Sequence, residues 1–164
     1  MQPISIQRNR NHHTHFLCLG VLLTLGAVLW PTLNYAQGND TRENKKYVMD
    51  FYTLAFVKKQ VEEAFIKYVG ETFIQHNPNI PGGKEASIKF LGKFLKDNPQ
   101  ATITIKRVIA EDNLVAIHSH FKRNAEDRGR AVIDIFRLEQ GKIVEHWDVF
   151  QPVPETASNN NGMF

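Results

Sequence analysis

His146 and Asp148 stand two positions apart in the stretch Lys142–Gln151, which reads KIVEHWDVFQ. As a strand, this places Val144, His146, Asp148 and Phe150 on one face and Ile143, Glu145, Trp147 and Val149 on the other. An Asp among apolar neighbours has its charged form disfavoured by desolvation. Such a carboxyl suits a general acid or base that moves a proton next to a carbonyl. His146, about 7 Å along the strand, could orient that carboxyl or hold an enolate oxygen. The plainer alternative for both is a hydrogen-bonded pair in a pocket wall.

Asp134 lies in Ala131–Leu138, on a face with Val132, Phe136 and Leu138. His118 and His120 lie in Leu114–Phe121, on a face with Leu114 and Ala116. If these faces share one side of a sheet, His118 and Asp134 meet across the ladder as a base and its orienter. The recurrence of a few ionisable groups among apolar ones describes the concave wall of a small-molecule site. His118, His120 and His146 with the two aspartates could also gather a metal. No cysteine motif or His-x-x-Glu-His spacing supports that, and neither a metal nor a cofactor is expected.

The elements that must carry these residues follow from periodicity. Val48, Phe51, Tyr52, Ala55 and Phe56 recur at helical spacing from Tyr47 onward, and a second helix covers Gln60–Tyr68, with Gly70 as its stop. Thr72–Pro78 is a short extended piece entering a turn, and Pro81-Gly82-Gly83 makes a loop. Lys84–Asp97 is a third amphipathic helix. Four strand patterns then follow: Thr102–Ile109, Leu114–Phe121, Ala131–Leu138 and the final stretch. Three helices followed by an antiparallel meander give an α+β fold, with the helices on one face of a curved sheet. Gln75, His76 and Asn77 in the loop, with Tyr68, His120, Phe136 and Phe150, are expected to line the pocket.

The odd-numbered residues Val115, Ile117, Phe121, Ile133, Ile135, Ile143, Trp147 and Val149 make a second apolar face. Three helices cannot cover both sides, so a homodimer through the outer face is expected.

The chain of 164 residues is one domain's worth, with 42% hydrophobic and 23% charged residues. A net charge of +3, with bases and acids intermixed, gives no nucleic-acid footprint. Residues 1–36 read as a signal peptide: Arg8 and Arg10, then an apolar run from Phe16 to Trp30, then a short turn-forming stretch to Ala36. The run is short for a bilayer span, although an uncleaved anchor is the competing reading. His12, His13, His15 and the single Cys18 leave with this leader. The mature protein is then expected to be secreted or periplasmic, without a thiol and without a stable membrane span. Residues 37–46 read as a mobile segment, 47–155 as the folded domain, and 156–164 as a flexible tail.

Two blocks resemble a known family. Gln75-His76-Asn77-Pro78 with Pro81-Gly82-Gly83-Lys84, and Ala131–Leu138 with Gly141–Asp148, are similar to SnoaL-like proteins of the nuclear-transport-factor-like superfamily. The resemblance covers roughly residues 47–155. It implies an α+β cone, a strongly bent and mainly antiparallel sheet wrapped with helices around a pocket. It further implies cofactor-independent aldol-type condensation or related proton transfer on a small apolar carbonyl compound. Asp148 matches the family's acid/base position, with His146, Asp134 and His118 as polar partners. Val132 stands where related epoxide hydrolases carry an Arg, which argues against epoxide hydrolysis. A non-catalytic small-ligand-binding module on the same fold is the alternative.

Overall fold

The computed structural model describes residues 41–164. The expected leader, with Cys18 and its histidines, and residues 37–40 lie outside the described residues. Helix α1 (Thr41–Tyr52) widens into a π-helical turn (Thr53–Val57). Helix α2 (Val61–Tyr68) runs directly into strand β1 (Val69–Gln75), and α3 (Lys84–Asp97) follows a loop. Strands β2 (Thr102–Glu111), β3 (Leu114–Lys122), β4 (Arg130–Glu139) and β5 (Lys142–Pro152) complete the chain. The sheet has the order β1-β5-β4-β3-β2, antiparallel except where β1 runs parallel to β5. It is open, with β1 and β2 as its edges.

The expected α+β arrangement is present, with differences at its margins. The extended piece near Thr72 is a fifth strand, and Gly70 belongs to it instead of stopping α2. Helix α1 starts six residues before Tyr47. Asn44 is buried there and its Nδ2 donates to the Asp112 carbonyl oxygen at 3.0 Å, tying the helix to the β2–β3 turn. That side-chain hydrogen bond offsets the poor apolar content of the first turn.

The core lies between the helices and one face of the sheet. Val48, Phe51, Tyr52 and Ala55 meet Val61, Ala64 and Phe65 from α2 and Val115, Ile117, Phe136, Leu138 and Ile143 from the sheet. Burying side chains of this kind stabilises by about 1.5–3 kcal/mol each. The aromatic rings interlock edge to face: Phe51 meets Phe65 at 5.4 Å and Phe136 at 5.7 Å between centroids.

Register decides which side chains face this core. Across β4 and β5, Asp134 pairs with Asp148 and Phe136 with His146, so those even-numbered residues share the inner face. Across β3 and β4, Asp134 pairs with Ile117 and Val132 with Ser119. The inward residues of β3 are therefore the odd-numbered ones, and His118 and His120 point to the outer face. The expectation that they join the pocket is corrected, because the β3–β4 connection sets a register that pairs odd with even positions. The same register turns Val115, Ile117 and Phe121 inward. A bulge between Arg137 and Leu138 in the β4–β5 pairing does the same for Ile143, opposite Leu138. Of the expected second apolar face, Ile133, Ile135, Trp147 and Val149 remain outside.

The C-terminal segment folds against that outer face. Val153 N donates to the Gly129 carbonyl oxygen at 2.9 Å, and the Phe164 ring lies 4.3 Å from His120 and 5.6 Å from His118. The tail expected to be flexible thus makes defined ring contacts.

Candidate active site

Between the helices and the inner sheet face is a cavity of about 130 Å³. Its body is aromatic, with Phe51, Phe56, Phe65, Phe73, Phe94, Phe121 and Phe136. Its polar groups, Tyr52, Gln75, Asp134, His146 and Asp148, come from α1 and three strands. A shallower hollow shares Ile80, Leu91, Phe94, Phe121, Val132 and Asp148 with this cavity and opens it outward. That hollow adds Asn77, Asn79, Phe90, Arg130 and Phe150.

The polar groups form one connected network. Gln75 pairs with His146 across the parallel β1–β5 ladder. Gln75 Oε1 accepts from the Asn77 backbone N–H at 2.9 Å and also lies 2.9 Å from His146 Nδ1. A backbone N–H can only donate, so the Gln75 atom is the carbonyl oxygen and His146 must carry a proton on Nδ1. His146 Nε2 then lies 3.1 Å from Asp134 Oδ1. Both side chains are buried, and with Nδ1 turned to Gln75 the Nε2 atom is the one His146 presents to the Asp134 carboxyl.

Tyr52 braces this pair from behind. Its hydroxyl donates to Asp134 Oδ2 at 2.8 Å and lies 3.0 Å from Ser119 Oγ, which must donate in return. Burial, and then the neighbouring Asp134 charge, push the Tyr52 phenol well above its ordinary range, so it remains a donor.

Asp148 is held differently. Asn77 Oδ1 accepts from the Asn79 backbone N–H at 2.8 Å, which orients the amide. Asn77 Nδ2 then donates towards both carboxylate oxygens of Asp148, at 2.8 and 2.6 Å. Pro78, which biases Asn77 away from helical backbone, places this amide just past the end of β1. Asp148 is half-buried and opens on the cavity, directly across the ladder from Asp134.

Gln75, Asn77, Asp134, Phe136, His146, Asp148 and Phe150 are therefore brought together. Tyr68 is not among the lining residues: it packs in the core against Tyr47 and Phe51. His76 is not either. Strand alternation turns it outward, where its ring stacks on Trp147 at 4.8 Å and its Nε2 meets Glu145 Oε1 at 2.8 Å. His118 accepts from Arg107 through Nδ1 at 2.6 Å, and His120 Nε2 donates to the Arg128 carbonyl oxygen. Tyr52 and Ser119 were not singled out from sequence. The available signal was Tyr52's polar tip on the buried stripe of its helix.

Donor atoms of Asp134, His146 and Asp148 lie within 4.8 Å of one another. The same three side chains could hold a small divalent ion through Nε2, with Nδ1–H kept on Gln75.

Comparison with known proteins places the fold. Residues 48–146 match the model of the SnoaL-like domain, and the chain belongs to that family. No curated protein matches the chain. Among solved structures, a candidate polyketide cyclase from Bacillus cereus is similar, with 25% identity and a TM-score of 0.56, over 66% of this chain and 74% of that one. A candidate ketosteroid isomerase from Kribbella flavida shares 14% identity and a TM-score of 0.58, over 75% and 86%. An NTF2-like protein of unknown function from Cytophaga hutchinsonii shares 19% identity and a TM-score of 0.54, over 66% and 90%. The last two likenesses are of fold alone.

Proposed function

We propose that this SnoaL-like protein is an acid–base catalyst that moves a proton next to the carbonyl of a small apolar compound, without a cofactor. One observation carries the reading. A cavity-facing carboxylate, Asp148, stands across one ladder rung from Asp134, which contacts His146 Nε2 at 3.1 Å. In the reaction Asp148 takes the proton from the carbon beside the carbonyl. The electron pair of that C–H bond moves onto the carbonyl oxygen. The developing oxyanion takes the place of one partner in the His146–Asp134 contact and accepts a proton or hydrogen bond from the pair, while Tyr52 keeps Asp134 in place. Asp148 then returns its proton to carbon; in an aldol reaction the enolate carbon instead attacks a second carbonyl, the first carbonyl reforms, and the resulting alkoxide takes the proton from Asp148.

A second reading has its own support. Both Asp148 oxygens already receive the Asn77 amide, as they would in a binding module whose carboxylate is only structural. Turnover of an enolisable bicyclic ketone separates the two. Asp148→Asn should slow turnover by about 100-fold or more while ketone affinity stays within about two-fold. Unchanged turnover in the variant, or a wild-type protein that binds the ketone without turning it over, removes the catalytic reading.

A further inference from the structure

Arg130 begins β4 at the outer rim of the candidate site, on the inner face and in the hollow that opens the cavity. Its guanidinium carbon lies 4.6 Å from the ring centre of Phe150 and 5.7 Å from that of Phe121. Cation–π attraction at these distances holds the guanidinium near the two rings and leaves its N–H donors for another partner. The neighbouring arginines are engaged with acids: Arg123 with Asp127, Arg128 with Glu155, and Arg137 with Glu139 and Glu145. Among the described residues, no carboxylate and no carbonyl oxygen accepts from the Arg130 side chain. A cation placed beside two rings, partly shielded from solvent and without an anionic partner among the described residues, presents a planar fork that matches a carboxylate.

Its position gives the spacing. Arg130 is four residues along β4 from Asp134, which faces Asp148, so about 13 Å of strand separates the rim from the proton-transfer groups. The wall between them is apolar, formed by Val132, Phe121 and Phe94. We propose that Arg130 is an anion subsite and that the ligand is an elongated acid. Its apolar body lies in the aromatic cavity and its carboxylate pairs with Arg130 at the rim. The proposal rests on the cavity being the ligand site, and it names the substrate class as apolar keto acids.

The test compares 6-phenylhexanoic acid with its primary amide by calorimetry at low and moderate salt. The acid should bind at least ten-fold more tightly to the wild type, with the margin narrowing as salt rises. Arg130→Gln should abolish the margin by weakening binding of the acid to the level of the amide. Arg130→Met, which keeps an apolar stem over the rings, serves the same purpose if the Gln variant does not fold. Equal wild-type affinities, an acid preference that survives both substitutions, or no binding of either compound at millimolar concentration overturns the proposal. Binding of these probes needs no catalysis. An acid preference in a protein that exchanges no α-proton would therefore sustain the subsite while removing the acid–base reading.

Discussion

At the residue scale, the site depends on which atom carries which proton, and backbone groups settle much of that. The Asn77 and Asn79 N–H groups orient two side-chain amides, and those amides fix the His146 tautomer and the face offered to Asp148. Tyr52 is where this arrangement meets stability. Tyr52→Phe keeps the ring packing but removes the donor to buried Asp134 and the acceptor for buried Ser119. Leaving such groups unpaired costs about 1–3 kcal/mol, so urea unfolding should show a loss of that size, and turnover should fall as Asp134 loses its brace. A variant as stable as wild type would mean the hydroxyl is not a structural donor. Asp148, Asp134 and His146 were legible in sequence as ionisable residues on apolar strand faces. Their partners Tyr52 and Ser119 were not, because a Tyr on a helix stripe and a Ser in an apolar strand announce only burial.

At the element scale, strand positions were readable from alternation, whereas pairing register was not. Alternation says that His118 and His120 share a face; only the β3–β4 connection says which face. One residue of register turns both histidines to the outer face and Ser119 to the inner one, where it meets the Tyr52 hydroxyl. Gly129 holds that connection. Its φ of +80° favours glycine, and a Cβ there would lie 2.2 Å from the Phe121 carbonyl oxygen and 2.7 Å from His120 Nε2. Asp127 accepts from the backbone N–H groups of Arg123 and Gly129 in the same loop. Those hydrogen bonds, Arg123 first, hold its carboxyl well below the usual carboxylate range. Gly129→Ala should lower stability by about 2 kcal/mol or more, seen as a reduced thermal midpoint; an unchanged midpoint would show that the turn relaxes freely. β1 escaped the sequence reading as a strand because it follows α2 without a loop and occupies an edge.

At the scale of the whole molecule, the helices among the described residues cover the inner sheet face. Outside, Ile109 and Val149 are 65% and 67% exposed, beside Ile133, Ile135 and Trp147. Phe164 covers only the His118–His120 part of that face. We propose that a second copy packs on these exposed apolar side chains. Sedimentation of residues 37–164 at micromolar concentration should give a dimer, and Val149→Glu should return it to monomer. A wild-type monomer at that concentration would contradict the expectation. The layout of helices before strands was legible from the order of periodicities, and the homodimer expectation now rests on fewer residues than the sequence suggested.

The acid–base account is tested most directly by solvent exchange. In deuterated buffer, 2-tetralone incubated with the protein should gain deuterium at the carbons beside its carbonyl faster than in buffer alone, followed by proton NMR. Asp148→Asn should return the rate to that of buffer. Exchange by the wild type no faster than buffer, or equally fast in Asp148→Asn, would contradict the assignment of Asp148 as the base.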